Sequence, residues 1–288
     1  MAIELATKYQ PYVDEVLTQD SKRDLISSKE GFTFNDAGTV KIYRIGTSPM
    51  NDYGRSGPAG TNWSRFGEVN TLTAETQTLK LEKDRSFTFV LDTLDMDETA
   101  GALASAQALS RQMREVVIPE IDTHAYKTIA DAAEATNRNF KVEKQEIVSA
   151  GIYQQIIHAS ADLDENNVPE EGRVLIVPPE TYKDMKLDKH IIMETDVSAE
   201  DRKRGVIGMI DGCKVIKVGA SKLPADLVFM MIHPMAAICP VKLENYRVHK
   251  NPPGIDGDLV EGRICYDTFV LENKQKAVFC LTAVDTLP

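Results

Sequence analysis

An α+β fold is predicted from three observations. Two separated runs alternate as strands, one long stripe has helical spacing, and the second half interleaves helical and strand patterns. The chain has 288 residues, 42% of them apolar. At this length roughly three quarters of the unfolded surface can be buried, so a sizeable core is available.

Residues 1–36 read as an arm, with Tyr9, Tyr12, Val13 and Leu17 scattered among charges without a period. Strands are expected from Thr39 to Ile45 and from Leu79 to Leu91. In the second, Phe87, Phe89 and Leu91 point one way and Ser86, Thr88 and Val90 the other. Between them, Gly46 to Gln77 is rich in Gly, Ser, Thr, Asn and Pro. A structureless connection that long is expected to dock elsewhere. Residues 41–66 carry Lys41, Arg44, Arg55 and Arg65 against Asp52, net +3. Residues 67–101 carry eight acids and three bases, net −5, so a positive reach lies beside an acidic stretch.

A long helix is expected from about Asp97 to Ala135, with Leu103, Ala106, Ser110, Met113, Val117 and Ile121 in one stripe. Asp97 and Glu98 favour its positive end. Pro119 interrupts the pattern, and an interior proline costs roughly 3 kcal/mol, so a kink is expected near 115–119. Beyond it the stripe shifts to Ala125, Ile129 and Ala132. A helix follows at 144–161, then a turn-rich 162–172, a buried strand at 173–177, and a short helix from the Pro178-Pro179 pair through Lys186. Further strands are expected at 213–218, 227–232, 241–249 and 259–271. The runs 266–271 and 276–284 read as a closing hairpin.

The formal net charge of −11 argues against a dedicated nucleic-acid binder, and the apolar content against disorder. Cys213, Cys239, Cys265 and Cys280 form no Cys-x-x-Cys pair, so free thiols in a reducing compartment are expected. Residues 1–30 hold no apolar signal core. The longest apolar stretch, Leu227 to Val241, is interrupted by His233 and Pro234 and is too short for a bilayer, so a soluble intracellular protein is expected.

No catalytic, cofactor or metal site emerges. His124, His158, His190, His233 and His249 are isolated from one another, and no phosphate-loop or nucleophile-elbow motif occurs. Gly54, Gly57 and Gly60 match a phosphate cradle only in glycine content. Asp162, Asp164 and Asn166 begin like a calcium loop, but Asn167 replaces the required glycine and Arg173 the final glutamate.

Five segments carry a resemblance. These are Thr39-Val-Lys-Ile-Tyr43 with Pro49-Met-Asn-Asp-Tyr53, Asp84-Arg-Ser-Phe-Thr-Phe89, Ile118-Pro-Glu-Ile-Asp122, Val174-Leu-Ile-Val-Pro-Pro179 and Tyr266-Asp-Thr-Phe-Val-Leu271. In this order, with the arm, positive hairpin and strut helix, the chain resembles the Hong Kong 97-type major capsid protein of tailed bacteriophages. The resemblance covers essentially the whole chain. It implies a Hong Kong 97-like capsid fold: an N-terminal arm (1–36), an extended β-hairpin loop (37–84) and a peripheral domain with a long spine helix (85–139). A mixed α/β axial domain (140–262) and a C-terminal hairpin returning to the peripheral domain (263–288) complete it.

The implied function is a structural shell subunit, not an enzyme. It would self-assemble as hexamers and pentamers into an icosahedral or prolate head around double-stranded DNA, in the host cytoplasm, without membrane or cofactor. Expected partners are further copies, a separate scaffolding protein, a portal protein, and packaged DNA by weak non-specific contact. Met50, Tyr53, Trp63 and Phe66 are the expected apolar anchors of the loop and Arg55 and Arg65 the polar ones. Buried apolar area, at roughly 25 cal/mol per Å², supplies the holding energy and charge the register. Some family members cross-link through a loop lysine. None occurs here between Lys41 and Lys80, so no covalent ladder is expected on denaturing gels. The alternatives are an encapsulin-type compartment shell and an acidic cytosolic α/β enzyme.

Overall fold

The structure is a computed structural model. It describes residues 21–28, 33–35, 39–57, 64–68, 71, 74–98, 105–144, 151–188, 191 and 205–285. The chain divides into a hairpin unit, Glu30–Leu81, and a body made of Met1–Lys29 and Glu82–Pro288.

The hairpin unit is an antiparallel sheet of β1 (Thr33–Asn35), β2 (Thr39–Ile45) and β3 (Ala74–Lys80), in that order. Thr39 pairs with Lys80 and Ile45 with Ala74. The connection between β2 and β3 is more ordered than its composition predicts. Asn51 Nδ2 donates to the Glu68 carbonyl, Tyr53 packs on Phe66, and Gly54 N–H donates to the Arg65 carbonyl. These partners keep the offset of β2 and β3, so one register continues past the regular strands. Gly54 permits the turn beyond, because a Cβ there would lie 2.2 Å from the Gly57 oxygen.

In the body, β4 (Lys83–Asp92), β5 (Asn139–Glu143), β6 (Val174–Val177), β7 (Val206–Ile210) and β8 (Cys213–Lys217) come first along the chain. They are followed by β9 (Leu227–Ile232), β10 (Ala237–Ile238), β11 (Val241–Lys250), β12 (Gly257–Tyr266), β13 (Phe269–Val270) and β14 (Val278–Val284). A six-stranded mixed sheet runs β5-β14-β9-β6-β8-β7, a three-stranded antiparallel sheet β11-β12-β4, and β10 pairs with β13.

Side-chain alternation gives the large sheet two apolar faces. Val174, Ile176, Met230, Ile232, Val278 and Cys280 pack with Tyr126, Ile129 and Ala133 of the helix Ile118–Ala135, and with Ile26. Leu175, Val177, Phe229, Met231, Phe279 and Leu281 pack with Ile152, Ile156 and Leu163 of the helix Ile152–Glu165, and with Met185 of the helix Pro179–Leu187. Each fully buried Phe or Leu stabilises this α/β/α sandwich by about 1.5–3 kcal/mol.

The helix Ile118–Ala135 also reaches the small sheet, where Val117 and Ile121 pack on Ile264 and Tyr266. It therefore ties the two sheets together as a strut. Ahead of it lie a helix Ser105–Gln112 and a π-helical turn Met113–Val117. The proline ring crowds the carbonyl four residues earlier, and a widened turn moves that carbonyl aside. At the far end Asn137, at φ +55°, closes the helix while Arg138 N–H returns to the Ala133 carbonyl.

Several expectations change. The run 79–91 is two strands broken at Leu81–Glu82, and β3 begins inside the presumed loop. Among the described residues of the long helix's stripe, full burial begins at Val117, with Met113 partly buried and Ala106 and Ser110 exposed; Leu103 lies outside the described residues. The turn-rich segment from 162 starts inside a helix that runs to Glu165. The closing hairpin does not form: β13 pairs with β10, while β14 pairs with β5 and β9 across a 3-10 turn, Glu272–Ala277. A run ending in a buried apolar strand gains more inside the large sheet than against its sequence neighbour. Residues 21–28 of the presumed arm join the body core, with Ile26 fully buried. Strand β7 was not expected, although Asp211-Gly212, both at positive φ, marks its hairpin with β8.

Candidate assembly interface

The hairpin connection presents apolar side chains to solvent. Met50 is 97% exposed, Phe66 75% and Tyr53 53%. Tyr53 and Phe66 meet edge to face at 5.1 Å, a geometry worth about 0.5–1.5 kcal/mol beyond its area. A turn at Ser64 places the second ring: Phe66 N–H donates to Ser64 Oγ and Gly67 N–H to the Ser64 carbonyl. Arg55 and Arg65 are exposed beside the pair. Five of the six predicted anchors thus share one loop segment, and Trp63 lies outside the described residues. Pro119, the seventh residue singled out, lies inside a continuous helical run, two residues past the π-helical turn Met113–Val117 that makes room for its ring.

The small sheet offers a second, polar surface. On one face of β4, β12 and β11 lie Ser86, Thr88, Arg263, Glu261, Asn245, Arg247 and His249. Arg263 Nε donates to Asp84 Oδ1 at 2.9 Å, His249 lies 3.3 Å from Glu261, and Arg247 bonds Asn245. The hydrogen bond from Arg263 holds the Asp84 carboxyl below its ordinary range. The acidic stretch 67–101 is therefore less bare than its composition: Asp84 is already matched, and the face alternates in sign. On the opposite face Phe87 stacks on Tyr246 at 6.1 Å, over Gly262.

Burial pushes the Cys213 thiol up to about 11 and that of Cys280 up to about 12, away from a reactive thiolate. A cleft of about 730 Å³ opens where β6, β8 and β14 end, the usual ligand position in such sheets. Among the described residues its lining includes Lys144, Glu180, Thr181, Asp184 and Asp226, but no His, Cys or Ser. Lys144 is paired with Asp285 at 2.7 Å, and Thr181 donates to the Val228 carbonyl. Among the described residues no group of acids, His and Cys is arranged to hold a metal ion, and no helix is long and apolar enough to cross a membrane.

No family model matches the sequence, and no curated protein does. Solved structures do. A chain in the capsid structure of the cyanophage P-SCSP1u is 16% identical, with a TM-score of 0.69 over 98% of this chain and 93% of that one. A chain from the mature capsid of bacteriophage PhiM1 is 15% identical, with a TM-score of 0.66 over 100% and 93%. One from Mycobacterium phage Che8 is 18% identical, with a TM-score of 0.66 over 97% and 96%. Coverage of nearly all of both partners leaves no large part of this chain, the hairpin unit included, without a counterpart. The chain has the α+β fold of the chains in these phage capsid structures.

Proposed function

We propose that this chain is a major capsid protein of the Hong Kong 97 type, the repeating subunit of a tailed-phage head. The observation that carries the reading is end-to-end likeness to chains of solved phage capsids. A hairpin unit separate from the body, ending in exposed rings and arginines, supports it. A lone monomer gains nothing from holding Met50, Tyr53 and Phe66 in water, whereas a subunit that seats them on a neighbour gains their burial. From Thr39 to Gly54 an extended chain spans as much as roughly 50 Å, ample to reach another copy.

In this reading the body comprises the peripheral and axial domains, the helix Ile118–Ala135 is the spine, and residues 46–71 reach over the next subunit. The net-positive loop is received by a neighbouring surface of alternating sign, which fixes register more than affinity. The shell is icosahedral or prolate, built of hexamers and pentamers and part of the virion. A scaffolding protein, a portal and loosely held DNA are its partners, and it performs no catalysis.

Expression of the full chain followed by gradient sedimentation and electron microscopy tests this. Closed shells, or hexameric and pentameric rings, are the expected result. A small stable oligomer would overturn it in favour of the enzyme alternative, and shells loaded with protein cargo and free of DNA would favour a cellular compartment.

A further inference from the structure

The chain passes between body and hairpin unit twice, after Lys29 and after Leu81. On the body side both passages are held. Ser28 N–H donates to the Ala237 carbonyl at 2.9 Å, and two residues earlier Ile26 is buried among Ala236 and Ala237. Glu82 N–H donates to Asp267 Oδ2, also at 2.9 Å.

These two acceptors belong to one small piece of structure. In the ladder of β10 and β13, Ala237 lies opposite Val270 and Ile238 opposite Phe269. Asp267 stands two residues before β13, and its own N–H donates to the Pro240 carbonyl, two residues after β10. The Asp267 residue is 7% exposed. Its second oxygen accepts from Thr268 N–H at 2.8 Å and lies 2.9 Å from His124 Nε2, on the second turn of the helix Ile118–Ala135. The His124 ring meets Tyr266 edge to face at 5.8 Å, which fixes the imidazole against the end of β12.

A charged side chain is not needed to end one strand and begin another. A nearly buried carboxylate with partners on both oxygens is useful where several donors must converge, because it accepts along about four directions and donates along none. We propose that Asp267, with the β10–β13 ladder, is a clamp that fastens both passages into the hairpin unit to the strut helix. Asp267 is then a positioning residue for assembly: it fixes where the chain leaves and re-enters the body on its way to the segment that meets the next subunit. That last step rests on the shell reading; the clamp itself does not.

Asp267→Asn is the discriminating change. The amide keeps the shape of the carboxylate but replaces one acceptor oxygen by a donor. Retaining the His124 and Thr268 bonds turns that donor toward Glu82 N–H, so the passage at Glu82 is released. Hydrogen exchange on the full chain is the primary measurement. In the wild type, peptides covering Ser28 and Glu82 should be protected together. In Asp267→Asn, exchange at Glu82 should rise at least tenfold, with Phe229 and Met230 unchanged within twofold. His124→Gln, whose amide can still donate to Asp267, should keep Glu82 protected, and His124→Ala should not. By electron microscopy, Asp267→Asn should give shells of mixed size or open sheets where the wild type gives closed shells.

The clamp is overturned by unprotected Ser28 and Glu82 in the wild type, a measurement that needs no variant to fold. Unchanged exchange at Glu82 in Asp267→Asn, or an equal rise throughout the large sheet, would also overturn it. Released Glu82 with wild-type shells would end the positioning role. Absence of shells from the wild type would sink the shell reading, while exchange would still decide the clamp.

Discussion

Removing the ammonium of Lys222 should destabilise the body more than any surface change. Lys222 Nζ donates to Asp122 Oδ2 at 2.9 Å, with the side chains 10% and 1% exposed. Asp122 lies on the strut helix, Lys222 on the 3-10 turn Ala220–Lys222, and Ser21 Oγ donates to the other carboxylate oxygen at 2.6 Å. Lys222→Met keeps the stem and its packing but strands the carboxylate, with the Ser21 hydroxyl as its remaining side-chain donor among the described residues. Breaking a buried pair from one side costs about 3–5 kcal/mol. At roughly 2–4 °C per kcal/mol for a domain somewhat smaller than this one, Tm should fall by roughly 6–20 °C. Adding Asp122→Leu removes the stranded charge and should recover most of the loss, since replacing a whole buried pair by apolar groups is often nearly neutral. Calorimetry on wild type, both singles and the double reads the coupling. A Lys222→Met protein within about 1 kcal/mol of wild type, or a double no better than the single, would refute the argument.

Other consequences are as direct. Burial raises the Cys280 thiol to about 12, so the folded state binds its proton more tightly than the unfolded chain. Its contribution is fully present below the unfolded value near 8.5 and is lost as pH rises toward 12. Cys280→Ala should flatten the fall of stability between pH 9 and 11 in urea titrations, and an unchanged slope would contradict this. Gly262→Ala places a Cβ 2.3 Å from the Phe87 ring, and Gly257→Ala one 2.0 Å from the Leu91 carbonyl oxygen at φ +148°. A ring swings aside and a backbone does not, so the first should cost about 1–3 kcal/mol and the second more; the reverse order in denaturant midpoints would be wrong for this packing. Tyr53→Ser with Phe66→Ser should leave Tm nearly unchanged but abolish sedimenting particles, and full assembly of that variant would remove the loop from the interface.

What the sequence made legible was whatever a local pattern determines. The apolar run Leu227–Ile232 forms β9 with the expected bounds, and Pro178-Pro179 opens the helix Pro179–Leu187. Alternation from Leu79 to Leu91 does not reveal its break, because Leu81 keeps the period while Glu82 leaves the ladder to bond Asp267. The partner of β14 was unreadable for a related reason. Six of its seven residues are apolar, and which strand they meet is settled by a six-stranded sheet assembled from distant segments. The loop residues Met50, Tyr53, Arg55, Arg65 and Phe66 were visible as bulky or basic side chains in a Gly- and Ser-rich stretch. Asp267 was not, since one aspartate among many carries no mark of burial until His124, Glu82 and Thr268 surround it.

The unbroken offset that joins Thr39–Lys80 to Gly54–Arg65 makes the two arms of the hairpin a matched pair. Removing one residue from either arm, at Thr47 for example, would rotate every side chain beyond it to the opposite side, and Tyr53 would part from Phe66. Length in this region can therefore change only in ways the pairing tolerates: by even steps taken in both arms, or at the bend itself. Homologous chains should differ in hairpin length by even numbers of residues shared between the arms, with irregular insertions gathered at the bend.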